Sequence, residues 1–359
     1  MIERRAALAV MAGLGLQACA ASGRPENRLV EVASFGRRQP VGITVSETGR
    51  MFVTFPRQSG SAEFRYALAE MVRGEEVPYP DAAWNSYTPA DADNHFMNVQ
   101  AAIAQGDVLW VLDAVQPFGS GTPSASKLMK VGLSNNKVQR IYRFEDIAPG
   151  AAALNDVRVD ARRNLAYLSD PKRSAIVILD LTSGRTRTVL EGSRPTSAAP
   201  GFVLHIDGQD VMHTGGRPFV SNANGIALTH DGRWFYFRAI NQENLYRIET
   251  RHLADTLLSD AELLAQVQDL GKVGVSHGML ADKEGNIYLS DSIHYAINRW
   301  SPDGRVTRLV QDPRLSWPDT FAIGPDGTLY VTAAQINRTA AFNTQERVEY
   351  PYRLYKVVH

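Results

Sequence analysis

Beyond residue 30 the chain alternates apolar and polar positions in short runs, punctuated by Gly, Asp and Asn. A period of two marks half-buried strands, and it predicts strands almost throughout. Helical spacing is confined to two short candidates, FRYALAEMV and DAELLAQVQDL. The unit is clearest in SNANGIALTHDGRWFYF, residues 221 to 237. There IAL alternates, THDGR carries an Asp-Gly turn signal and WFYF has high strand propensity, so the stretch predicts a hairpin.

The hairpin recurs. Its copies are VGITVSETGRMFVTF from Val41, NVQAAIAQGDVLWVL from Asn98, NDVRVDARRNLAYLS from Asn155, NGIALTHDGRWFYFR from Asn224, HGMLADKEGNIYLSD from His277 and DTFAIGPDGTLYVTA from Asp319. Five copies place a glycine eight residues after the first residue, at Gly49, Gly106, Gly232, Gly285 and Gly327, whereas the third has Arg163. Copies begin 57, 57, 69, 53 and 42 residues apart, which leaves room for a second strand pair, such as SAIVILDLTSGRTRTVL or YAINRWSPDGRVTRLV, and a loop. Each period therefore predicts one four-stranded antiparallel blade, and six of them an all-β, six-bladed propeller around a central channel. Two β-sandwiches are the rival arrangement, but they give no reason for one hairpin repeated six times. Two segments are candidates for closing the ring. The final YRLYKVV would pair with blade one, or RLVEVASF would form the outer strand of the last blade.

Charge narrows the partners. Lys plus Arg equals Asp plus Glu at 38 each and no basic run stands out, which argues against nucleic acid. Residues 1–19, MIERRAALAVMAGLGLQAC, place Arg4 and Arg5 before an apolar stretch too short to span a bilayer, the pattern of an export signal. LQAC resembles a bacterial lipobox, which makes Cys19 the lipidated first residue of the mature chain, 20–29 a tether and 30–359 the propeller. The expectation is a monomer on the periplasmic side of a bacterial membrane, touching it only through the lipid. Cys19 is the sole cysteine, so the fold relies on its core and not on disulfides.

Innermost strands line the axis of a propeller, so the first residues of the six hairpins converge on one mouth: Val41, Asn98, Asn155, Asn224, His277 and Asp319. Five of them are polar, and convergent polar groups at a channel mouth make the default ligand site. Any one asparagine is as readily a turn former that bonds nearby backbone. His277 and Asp319 are the candidate catalytic pair, with His277 as a base whose tautomer Asp319 fixes and whose titration lies in the histidine range. Trp317 is a candidate for the rim, Asp156 is a further carboxylate beside the mouth, and Trp84 reads as a core plug. The long gap between blades three and four holds PGFVLHIDGQDVMHTGGRPFVS, with His205 and His213, and predicts a loop crossing one face. Walker, Rossmann, zinc-finger and GxSxG patterns are absent from the sequence, and GTPSASK lacks the spacing of a phosphate loop.

From about residue 30 onward the chain resembles a bacterial member of the major royal jelly protein and Yellow family. PVGITVSETGRMFVTFPR, VPYPDAAWN, LWVLDAV, LNDVRVD, GIALTHDGRWFYFRAINQENLYRIETRHLAD, SHGMLADKEGNIYLSD, AINRW and LSWPDTFAIGPDGTLYVT carry that resemblance. It implies a secreted six-bladed propeller with a small-molecule site on the axis. Insect members include binders of biogenic amines and proteins linked to dopachrome conversion. A more distant similarity is to the gluconolactonase and senescence-marker propellers, metal-dependent lactone hydrolases. That similarity implies metal-holding asparagines at Asn155 and Asn224, but it puts His277 where those enzymes have an aspartate and Val41 near their glutamate.

The sequence itself requires no cofactor. A calcium-like divalent ion would fall to Asn155, Asn224 and Asp319, a weak set for a hard cation. The expected function is binding of a polar or aromatic metabolite by Asn98, Asn155, Asn224, His277, Trp317 and Asp319. A lactonase-like hydrolase or a dopachrome-conversion-like isomerase at the same place is the alternative.

Overall fold

The structure, a computed structural model, describes residues 27–57, 63–114, 126–148 and 150–358. The export signal, Cys19 and most of the tether and of GTPSASK therefore lie outside the described residues. Six four-stranded antiparallel sheets stand in a ring, and the inner strands of successive blades touch all the way round. From the axis outward, blade one is Ile43–Val45, Met51–Thr54, Leu68–Val72 and Glu75–Pro78. Blade two is Val99–Gln105, Val108–Asp113, Lys127–Gly132 and Lys137–Tyr142, and blade three is Val157–Asp160, Leu165–Asp170, Ala175–Asp180 and Thr186–Val189. Blade four is Ala223–Leu228, Trp234–Ala239, Asn244–Glu249 and Gln268–Lys272, and blade five is Met279–Ala281, Ile287–Asp291, Ala296–Trp300 and Val306–Gln311. Blade six takes three strands from the C-terminal end, Pro318–Ile323, Leu329–Ala333 and Arg353–Val358, and its outer strand, Arg28–Ser34, from the other end of the chain. Of the two candidates for closure, the structure thus selects RLVEVASF on the last blade. Pairing the two ends of the chain buries backbone groups that an open ring would leave at an edge.

The turn glycines do what their positions predict. Gly49, Gly106, Gly232, Gly285 and Gly327 all have φ between +56° and +83°, the left-handed region that a side chain disfavours. In blade three the left-handed residue moves one place on to Asn164 (φ +55°), while the Asp160 carboxylate accepts from the backbone N–H groups of Arg162 and Arg163. Asparagine tolerates that conformation best among non-glycine residues, which is why Arg163 does not spoil the turn.

The helix candidates divide. DAELLAQ forms Asp260–Gln266, started by a capping box between Ser259 and Glu262, but the remainder of the candidate enters the outer strand of blade four. FRYALAEMV is not helical; its second half is the strand Leu68–Val72, paired on both sides within blade one. Ala, Leu, Glu and Met favour helix in isolation, but a segment with strand partners on both sides gains more from the ladder. Among the described residues no helix is long and apolar enough to cross a membrane.

One face carries a cap. The segment between blades three and four forms a small hairpin, His205–Ile206 with Gln209–Asp210, and buries Leu204, Ile206, Val211 and Phe219 against Val41, Trp317, Ile336 and Phe342. Asp207 at its tip accepts from Asn337 Nδ2 and Arg338 Nε, each at 3.2 Å. His205 is exposed and pairs with Asp210 at 3.0 Å, whereas His213 lies 4.8 Å from the Phe342 ring. The predicted loop across a face is therefore this cap, and it covers the end at which the hairpins begin.

Candidate functional site

Five blades fix the start of the inner strand from the second strand. Pairing sets Ile43 against Val53, Ala101 against Leu112, Val157 against Leu168, Met279 against Leu289 and Phe321 against Val331. The next residue along each second strand is Thr54, Asp113, Ser169, Ser290 or Thr332, and each accepts a hydrogen bond from an N–H where the inner strand opens. Ser290 Oγ, for example, accepts from His277 and Gly278 at 3.0 Å each. Thr54 and Thr332 also donate to the neighbouring blade, to the Gln100 and Val41 carbonyls.

Glycines then let the blades close in. A Cβ on Gly225 would stand 2.5 Å from the His277 carbonyl oxygen, and one on Gly278 only 1.6 Å from that of Asp319. Real Cβ atoms do not approach so closely, so the Asn224-Gly225 and His277-Gly278 pairs are what allow the polar residues of blades four, five and six to crowd together.

His277 is 2% exposed and stacks on Trp317, with ring centroids 4.0 Å apart. Neither of its ring nitrogens has a protein partner among the described residues. Burial, with a smaller contribution from the charge of Arg238, lowers its pKa to about 3, so it is neutral at physiological pH. Trp317 itself has φ +51°, which turns its indole between His277 and Phe219 of the cap.

Asp319 faces the channel half-buried, hydrogen-bonded by Thr320 Oγ1 at 3.2 Å. Withdrawal of the carboxylate from water raises its pKa to about 7, against the opposing Thr320 bond and with help from the negative charge of Asp156. Asp156 is engaged by Arg158 at 2.7 Å. Two expectations change here. Asp319 does not hold the tautomer of His277, and the group that titrates near neutrality is the carboxylate and not the imidazole.

The other predicted residues separate. Asn155 and Asn224 are half-buried; Asn155 Oδ1 accepts from Gln100 Nε2 and Asn224 Nδ2 donates to Ser221 Oγ, both at 3.3 Å. Asn98, 3% exposed, is taken up by backbone, accepting from Arg57 N at 2.6 Å and donating to Ala114 O at 3.2 Å. Val41 is buried beneath the cap. Trp84 packs against Phe96 with centroids 5.5 Å apart, in keeping with a plug. A surface depression between the hairpin turns of blades three and four, lined by Arg162, Arg163, Asp231 and Arg233, lies at the far end of the barrel from these groups.

The sequence count missed Arg238. The blade-four turn is one residue longer than that of blade five, so Ile226 pairs with Phe237 and Arg238 occupies the place held elsewhere by Thr, Ser or Asp. It is fully buried, donates Nε to Ala239 O and Nη2 to Gln242 O, and among the described residues leaves Nη1 without a protein partner.

With that geometry in view, the family model for major royal jelly proteins matches residues 98–355. The chain belongs to the major royal jelly protein family. No curated protein matches it. Among solved structures it is similar to a luciferin-regenerating enzyme (12% identity, 93% of this chain and 95% of that one, TM-score 0.56). It is also similar to a gluconolactonase from Xanthomonas campestris (11%, 92% and 89%, TM-score 0.54) and a streptogramin B lyase (14%, 92% and 97%, TM-score 0.54). At these identities the likeness is one of fold.

The mouth fits a divalent ion poorly. Among the described residues no three His, Cys, Asp or Glu side chains cluster as ligands. Asp319 is a carboxylate that readily keeps its proton, and Asp156 already serves Arg158. Hard cations favour several ionised oxygens, which this set of residues does not supply.

Proposed function

We propose that this family member is an exported propeller, tethered through Cys19, that binds a small polar or aromatic metabolite at the capped mouth of its axial channel. The observation that carries the reading is the stacked His277–Trp317 pair beside Asp319, with both imidazole nitrogens free of protein partners among the described residues. A neutral imidazole offers one donor and one acceptor in fixed directions, and buried polar atoms of this kind favour a partner that satisfies them. Asn155 and Asn224 add orienting groups on the channel side. Native mass spectrometry with elemental analysis of the purified protein is expected to reveal a retained small molecule, and Asn155→Ala with Asn224→Ala to release it with little change in Tm. A loss of stability with no effect on the ligand would make the asparagines structural and remove the reading.

One observation favours a second reading, hydrolysis or isomerisation at the same place. A carboxylate titrating near pH 7 is tuned for proton transfer at neutral pH, as Asp319 is. On this reading Asp319 exchanges the proton while His277 orients the substrate. Turnover of a lactone or quinone-type substrate would follow one titration near pH 7 and disappear in Asp319→Asn; undiminished turnover in that variant removes the idea.

A further inference from the structure

We propose that Arg238 and His277 form an anion subsite between blades four and five, so that the metabolite taken at the mouth carries a carboxylate. The inference rests on the axial binding reading above and specifies its ligand. In five blades the residue at this register is short and bonds the opening of its own inner strand. Thr54 and Thr332 show where such a side chain points, toward the opening residues of the next blade. Tyr236, two residues earlier and so on the same face of the strand, packs on Trp300 of blade five with centroids 5.7 Å apart. Arg238 is therefore directed at the start of blade five, where His277 sits.

A guanidinium is not needed there to hold the strands. It is costly, since a charge withdrawn from water requires a counter-charge or a full set of hydrogen bonds. Among the described residues Arg238 forms no ion pair. The acidic groups whose fields reach it are engaged elsewhere, Glu243 with Lys272 at 2.6 Å and Asp291 with His294 at 2.8 Å. Among the described residues its Nη1 and both ring nitrogens of His277 are buried without a protein partner. One positive charge beside a neutral imidazole suits a monoanion. A dianion would bring excess negative charge toward Asp156 and Asp319, and an ammonium group would meet Arg238 directly.

Calorimetric titration with benzoate, benzamide and benzylamine tests this, because the three share a ring and differ in charge. Benzoate is expected to bind about tenfold or more tighter than benzamide, the gain of a charge-assisted hydrogen bond over a neutral one, with benzylamine weakest. Arg238→Gln should erase the gap and Arg238→Lys, which keeps the charge, should retain part of it. The comparison within the unaltered protein stands even if Arg238→Gln fails to fold. Equal affinities, a gap that survives in Arg238→Gln, or no binding of benzoate would each overturn the subsite. If all three bind equally and Asn224→Ala weakens all of them, axial binding survives and only the anion subsite falls; if none binds and no small molecule is retained on purification, both fall.

Discussion

The mouth of this propeller has two unlike halves. On the side of blades one and two, Val41 is buried under the cap and Asn98 bonds backbone at both ends of its amide. Asp113, which anchors the Asn98 N–H, forms a buried ion pair with Lys127 at 2.7 Å, and Lys127 also donates to the Ala92 and His95 carbonyls. Asn98 is thus spent on the fold, although among the described residues Gln39 Oε1, Arg57 Nε and Gln100 Oε1 of this side are also buried without a protein partner. On the side of blades four to six, Arg238 and His277 keep atoms unpartnered among the described residues, and Asn224 and Asp319 are only partly buried. A polar residue at the start of an inner strand thus serves the fold in one half and stays available in the other. What decides between these roles is the set of backbone groups within reach, and not the residue type.

The sharpest way to break the second half is to push its blades apart. Gly278→Ala forces a methyl into the Asp319 carbonyl, which no rotation of a side chain relieves. Overpacking against backbone is expected to cost about 3 kcal/mol, measured by urea denaturation, and to disrupt the mouth together with the fold. A variant as stable as the parent would mean that the inner strands of blades five and six do not approach as described.

The next effect depends on pH. Asp319 has a folded pKa of about 7, above its ordinary value, so the folded chain holds this proton more tightly than the unfolded one. Its contribution to stability is full below about pH 4 and is lost as pH rises to about 7. His277, lowered to about 3, acts in the opposite sense, contributing above about pH 6.5 and losing that contribution as pH falls. Asp319→Asn should therefore raise Tm at pH 8 and leave it nearly unchanged at pH 4. An equal shift at both pH values would show that the proton on Asp319 is not the cause.

Much of this was legible in the sequence. The six hairpins, the turn glycines and the cap follow from strand periodicity, left-handed φ and loop length, all of which are local properties. His277, Trp317 and Asp319 could be placed at one mouth because each opens or adjoins a repeat. Arg238 could not. Counted from the turn glycine it falls level with Asp291, and only the longer turn, visible in the pairing of Ile226 with Phe237, moves it level with Ser290. Nor did the sequence distinguish Asn98 from Asn224, because the partners of Asn98, Arg57 and Ala114, lie in segments whose approach to it depends on the closed ring.

That last distinction can be measured directly. Asn98→Ala removes two side-chain bonds to backbone at a buried position and is expected to cost about 2 kcal/mol. Asn224→Ala removes one 3.3 Å bond to Ser221 from a residue already facing the channel, where water can replace it, and should stay within about 0.5 kcal/mol of the parent. Binding should show the reverse order, with Asn224→Ala releasing the retained molecule and Asn98→Ala keeping it. Since the two residues are the same type at the same distance before the turn glycine of their repeats, neither propensity nor turn chemistry can produce such a crossover. Only the difference in surroundings between the two halves can, and equal effects on stability and on ligand in both variants would mean that the halves do not differ.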